Sequence, residues 1–327
     1  RLLDKSLTYF PVVFTIPEKL SSLVLGTRRE LYKLLFQASW HALAESITQE
    51  RGLEPAASMV LHTWNQRLGH HPHVHAIVPG SGPSLDGQRW IPCRMTRAKR
   101  EKLSRPILVD YKRLAWRFRD AYIAGIRRLI KQGRLKVQDP AELEIMLCEL
   151  AGRDWVAYIQ PPPSPGTDPE HVVKYLARYM TGGPISDSRL IKIESGYVYF
   201  WARAADKSRR SVPTKMPILE FVRSWCLHVI PKRFTKVRSF GAWSNKHRKA
   251  YLERCQRLSP TSADKEPATA AAPPPIDPAE DECRCCPRSA AQQLDSLMRL
   301  ISLTPRPPWR ELFYGPDHPV WFEMIWS

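Results

Sequence analysis

The chain lacks any window of 18 or more apolar residues, so no membrane span is expected. It has no charged-then-apolar leader, so no secretion signal is expected. Its seven cysteines are odd in number and mostly scattered, which suits a reducing cytoplasm better than a disulfide framework. No G-x-x-x-x-G-K-[ST] loop occurs, so chemistry driven by ATP through such a loop is not expected. No internal repeat is visible. Acids are scarce: 32 Asp and Glu stand against 50 Lys and Arg, a net charge of +18. That excess favours a polyanionic partner and suits a small-molecule substrate poorly.

The β-rich stretch LTYFPVVFTIPEKL predicts a first strand over 7–16. A helix follows, with Leu31, Leu35, Ala38 and Leu43 on its apolar face and Gly52 at its end. Strands are expected over 60–67 and 73–79, joined by RLGHHP, and a hairpin at Asp86-Gly87. Leu114, Phe118, Tyr122, Ile126 and Ile130 recur every four residues and mark a buried helix face. Arg113, Arg117, Arg127, Arg128, Lys131 and Arg134 load the rest of that helix with charge suited to phosphate contact. A short strand DWVAYIQPP comes next. The following helix is capped by Thr167 or Asp168 and stopped by Gly182-Gly183-Pro184. A hairpin around Ser195-Gly196, a further amphipathic helix and a basic segment with interleaved aromatics complete the ordered part. Trp201, Phe234, Phe240 and Trp243 lie in or near basic runs and are candidates to stack on bases. Residues 258–282 hold six acids and one lysine and read as a disordered linker. The tail 283–327 has no assigned role.

Four histidines, His70, His71, His73 and His75, crowd into HTWNQRLGHHPHVHAIVPG. Side chains at i and i+2 of a strand share a face, so His73 and His75 point the same way and form half of a metal site. Placing Gln66 opposite His73 adds an amide oxygen as third ligand. His62 and Trp64 share the parity of Gln66 and could face the site too. An open N,N,O set fits Mg²⁺ or Mn²⁺ handling phosphate oxygens. His71 reads as turn chemistry or a phosphate contact.

The capped helix carries Tyr175 and Tyr179 at i and i+4, on one face, about 6 Å apart along the axis. Lys174 and Arg178 lie beside them, unlike the neighbours of a core stripe. A phenol, with its ordinary pKa near 10, needs a metal and basic neighbours to attack a phosphodiester.

HHPHVHAIVPG followed by YLARY resembles the two-tyrosine HUH nucleases, and in closer detail the transposases of the insertion sequence 91 group. VVFTIPEKL, LHTWNQ, VVKYLARYMTGGPISDSRL and LHVIPKRFTKVRSFGAWSNKHR extend the resemblance over roughly residues 7–256. The resemblance implies an α+β domain with a central antiparallel sheet flanked by helices, ferredoxin-like, with helical DNA-binding extensions. It implies metal-dependent nicking and transfer of single-stranded DNA, at transposon ends and target, through a 5′-phosphotyrosine. His73 and His75 carry over as metal ligands and Tyr175 and Tyr179 as nucleophiles. Gln66 takes the place of a polar third ligand, with His171 as its competitor. Lys174, Arg178, Arg127, Arg128, Lys232, Arg233, Lys236 and Arg238 are the expected DNA contacts. The expected division is a nuclease domain over 1–191 with a helical insertion around 104–150, then a basic DNA-binding part over 192–257. Such a protein would work in the cytoplasm, at the nucleoid. The competing reading is an inactive or non-catalytic basic nucleic-acid-binding protein.

Overall fold

The computed structural model describes residues 8–97, 104–160, 162, 182–204 and 210–259. The helix expected to carry Tyr175 and Tyr179 lies outside these residues, as do His171, Lys174, Arg178 and most of the expected linker. In chain order the strands are β1 (Tyr9–Thr15), β2 (Ala56–Trp64), β3 (His70–Pro79), β4 (Gly82–Pro83), β5 (Trp90–Ile91), β6 (Arg94–Arg97), β7 (Ser104–Ile107) and β8 (Val156–Ile159). They continue with β9 (Leu190–Glu194), β10 (Tyr197–Arg203), β11 (Ser211–Pro217) and β12 (Val237–Gly241). The helices are α1 (Ser21–Gly26), α2 (Arg28–Arg51), α3 (Tyr111–Lys131), α4 (Pro140–Ala151), α5 (Ile218–Cys226) and α6 (Arg248–Leu258). Among the described residues no helix is long and apolar enough to cross a membrane.

The chain divides into two compact units. Among the described residues, the first takes those up to 63, those from 71 to 162, and those from 234 to 259. The second takes 64–70 and those from 182 to 233. The basic segment after Arg233 belongs to the first unit. There Val237–Gly241 adds an edge strand beside β2, with Val237 opposite Val60 and Gly241 opposite Ala56.

The first unit is an α+β fold around a five-stranded antiparallel sheet in the order β12-β2-β3-β1-β8. Strand β3 is central. Phe10, Val12 and Phe14 alternate along β1 and stand opposite Val78, Ala76 and Val74, all of them buried. The Phe14 ring lies 5.0 Å from that of Phe118 on α3, which fixes this face against the helices. Helix α3 buries the expected stripe of Leu114, Phe118, Tyr122 and Ile126, and Asp110 caps it by accepting from the Arg113 N–H at 2.9 Å. Helix α2 ends at Gly52, whose φ of +61° is the left-handed cap that a residue without Cβ adopts without strain.

Among the described residues, a second core fills one end of the opposite face of the sheet. Tyr9 and Ile77 join Ala56, Trp243, Tyr251 and Cys255 in a second core, so Trp243 is a packing residue and not a base-stacking candidate. Phe234 and Phe240 are likewise engaged, against Tyr32, Phe36 and Trp40. Towards the other end of that face stand Val13 and Thr15, opposite His75 and His73.

In the second unit β9, β10 and β11 form an antiparallel sheet in the order β11-β10-β9. Ser195 and Gly196 turn the expected hairpin with φ of +50° and +81°. The third strand, Ser211–Pro217, was not foreseen and makes this region less helical than expected. Val198, Phe200 and Ala202 bury one face against Phe221 of α5, with Leu68 and Ile185.

Helices α2 and α3 cross closely at Gly125, where an added Cβ would stand 2.1 Å from Leu34 Cδ1. Propensity alone says that Gly→Ala inside a helix stabilises by about 0.5–1 kcal/mol. Overpacking against buried Leu34 costs about 1–3 kcal/mol and should win. Gly125→Ala is therefore expected to lower the urea midpoint at unchanged slope; a raised midpoint would show that the crossing has room.

Candidate metal centre

Strand β2 ends at Trp64, short of the expected 67. Residues 65–69 form a turn in which Asn65 Oδ1 accepts from the N–H groups of Arg67 and Gly69, at 2.9 and 2.8 Å. Leu68 takes a left-handed φ of +63° there. A short polar side chain that bonds its own backbone ends a strand in this way. The expectation for Gln66 is corrected accordingly: it sits exposed in the turn and not on a strand opposite His73, and its carbonyl oxygen accepts from Arg189. His71, expected at the turn, lies within β3.

The third imidazole is His62, on β2. Ring nitrogens of His62, His73 and His75 all lie within 4.8 Å of one another. The His62 ring centroid is 5.4 Å from that of His73 and 4.7 Å from that of His75, and the latter two are 4.9 Å apart. His62 is only 5 % exposed. The residue carried the right strand parity, but the longer strand assumed for β2 gave Gln66 precedence.

The His73 Nδ1 lies 2.7 Å from the His71 carbonyl oxygen. A carbonyl oxygen can only accept, so Nδ1 holds the proton and Nε2 keeps its lone pair. Backbone anchoring of this kind fixes the tautomer and aims a metal ligand. Burial pushes the His73 pKa down to about 4, opposed by the bond to His71 and helped by the charge His71 can carry. Burial, then the neighbouring His73 and His62, lowers His75 to about 2. Both rings are neutral at pH 7, the form that binds a metal. Three imidazoles, two of them on the central strand, fit a borderline divalent cation and can hold a metal ion.

Of the expected phosphate contacts, Arg127 is committed elsewhere. Its guanidinium grips the Glu144 carboxylate from two nitrogens, raising its own pKa and lowering that of Glu144. Arg117 and Arg134 similarly pair with Glu50 and Glu30 on α2. Arg238 lies over the rings of Phe36 and Phe234, at 4.7 and 4.9 Å. Burial lowers the pKa of half-buried Lys236. Arg128, Lys232 and Arg233 are exposed.

Fold and site together define an α+β protein with a sheet-borne histidine triad able to hold a metal ion. Residues 57–250 match the family model Y2_Tnp, described as "Putative transposase". The chain is 33% identical over 276 residues to "Putative transposase y4qJ" of Sinorhizobium fredii, covering 79% of this chain and 66% of that protein. It is 27% identical over 259 residues to the transposase for insertion sequence element IS801 of Pseudomonas savastanoi pv. phaseolicola, covering 74% of this chain and 56% of that one. The chain thus spans less than two thirds of the length of these curated relatives. No solved structure matches it significantly. The chain belongs to the transposases of the insertion sequence 91 family.

The geometry ranks the ligands. His62→Ala should weaken Mn²⁺ binding, followed by calorimetry, beyond the roughly 10–100-fold that loss of an outer-shell partner costs. Gln66→Ala should leave it nearly unchanged. The reverse order would restore Gln66 as the third ligand. Because His73 and His75 are neutral well below pH 7, their protonation should not weaken metal affinity between about pH 8 and 6 and should do so only on further acidification, as calorimetry on His62→Ala would read.

Proposed function

We propose that this chain nicks single-stranded DNA and transfers the broken strand during transposition, with a tyrosine as nucleophile. The observation that carries the reading is the triad of His62, His73 and His75 in a chain of a transposase family. A divalent cation held there would polarise the non-bridging phosphate oxygens and stabilise the charge that develops on them. The all-imidazole donor set favours Mn²⁺ over the harder Mg²⁺.

In this reading the phenol oxygen of Tyr175 or Tyr179 attacks phosphorus. One O–P bond forms to tyrosine, the bond to O3′ breaks, and O3′ takes a proton to leave as a free hydroxyl. The tyrosine retains the 5′ phosphate, so a later 3′ hydroxyl can reverse the step at a new site without ATP. The second tyrosine can take another strand while the first is occupied. His71 serves as a positioning residue, because its carbonyl holds the His73 ring. Lys174, Arg178, Arg128, Lys232, Arg233, Lys236 and Arg238 would meet phosphates, whereas Arg127 is withdrawn by Glu144. The substrate would be chromosomal or element DNA, at the nucleoid in the cytoplasm.

Incubation with a labelled single-stranded oligonucleotide and Mn²⁺ should yield a protein–DNA adduct stable to denaturant. The Tyr175→Phe/Tyr179→Phe double variant should yield none. His73→Ala should also yield none while retaining most of the DNA affinity, since phosphate contacts dominate binding. An adduct in the double tyrosine variant would refute the mechanism.

A further inference from the structure

The β9–β11 sheet belongs to the second unit, whereas the histidine triad belongs to the first. Val198, Phe200 and Ala202 turn inward to Phe221, so the alternate residues of β10, Tyr197, Tyr199, Trp201 and Arg203, share the outer face. Trp201 is 42 % exposed and Tyr197 36 %. The strand register places Lys192 and Lys215 on either side of Tyr199. Lys192 Nζ lies 5.2 Å from the Tyr199 ring centroid, and Lys215 Nζ lies 5.1 Å from that of Tyr197. The acid on this face, Glu194, is paired with Lys192 at 2.5 Å. The exposed aliphatic Ile193 stands opposite Val198 and so belongs to the other side.

We propose that this face is a stacking platform for single-stranded DNA, separate from the metal centre. Aromatic rings supply flat apolar surface that accepts any base, and flanking cations meet the phosphates between bases. The spacing selects the strand state. Rings on alternate residues of a strand are about 6.6 Å apart. Stacked bases in a DNA strand are about 3.4 Å apart. One base per ring therefore requires bases lifted off their neighbours, which a single strand permits and a duplex resists. A protein-docking patch of this size would gain little from an ammonium group standing over its rings, whereas a polyanion gains from Lys215, with Lys192 held by Glu194.

The platform needs neither cation nor nucleophile, so its test stands apart from that of nicking. Anisotropy of a labelled oligo-dT with the full chain, without added metal, measures it. Trp201→Ala and Tyr199→Ala are each expected to weaken binding by roughly 5- to 100-fold. Trp201→Phe should restore most of the affinity, as a ring substitutes for a ring but not for a merely bulky side chain. Lys215→Glu, an exposed change, should also weaken binding and flatten its salt dependence. Thermal melting of every variant should match the parent. Trp201→Ala/Tyr199→Ala with parental affinity for oligo-dT would overturn the proposal. So would tighter binding of the parent to blunt duplex or to oligo-U, or an effect of these variants confined to self-association. Should the alanine variants melt early, Lys215→Glu decides: parental affinity and salt slope there overturn the platform.

Discussion

The alternation of side chains along β3 is the constraint on which the rest of this protein depends. Val74, Ala76 and Val78 must go inward to meet Phe14, Val12 and Phe10 and the helices behind them. A strand has no other way to turn, so His73 and His75 are driven to the opposite face. A slip of one residue would bury both imidazoles in the apolar layer and expose three core residues. The hydrophobic term that registers β3 therefore also aims the two imidazoles, and no separate energy is needed to orient them. The bond from His73 Nδ1 to the His71 carbonyl then sets the tautomer from within the same strand.

Among the described residues the histidine face is filled unevenly. Tyr9, Ile77, Trp243 and Tyr251 seal one end with apolar packing, while the end holding Val13 and Thr15 carries the imidazoles. Partial burial there removes water from the rings, which keeps them neutral and available as ligands. Charge is divided as unevenly as apolar surface. Arg117, Arg127 and Arg134 of the arginine-rich helical region are held by Glu50, Glu144 and Glu30. An excess of positive charge in composition thus overstates the cation surface left for phosphate. In the second unit Lys192 and Lys215 stand over the rings of half-buried Tyr199 and exposed Tyr197, so that charge and aromatic surface lie together.

The elements with strong local signals were legible from composition and period. Helix α3 showed its stripe, α2 its glycine stop, and the Ser195-Gly196 hairpin its turn chemistry. His73 and His75 were legible as a same-face pair because a two-residue spacing on a strand leaves no freedom. His62 was not, because its rank against Gln66 turned on where β2 ends. That end is decided by Asn65 bonding the backbone of the following turn, a choice between strand and turn that residue types alone leave open. The edge strand Val237–Gly241 was hidden for a related reason. Its partner β2 lies far away in sequence, so pairing across that distance, and not its own pattern, makes it a strand.

The sequence by itself determined the family, the two-histidine spacing and the periodic faces of the long helices, because each is written in residue type and local period. Tertiary structure alone decided that His62 joins the two histidines, which arginines are held by carboxylates, that Trp243 is core, and that Tyr197, Tyr199 and Trp201 share an outer face with two lysines. Those are facts about which distant surfaces meet. Burial and ion pairing depend on the partner across the contact, and no local pattern specifies that partner.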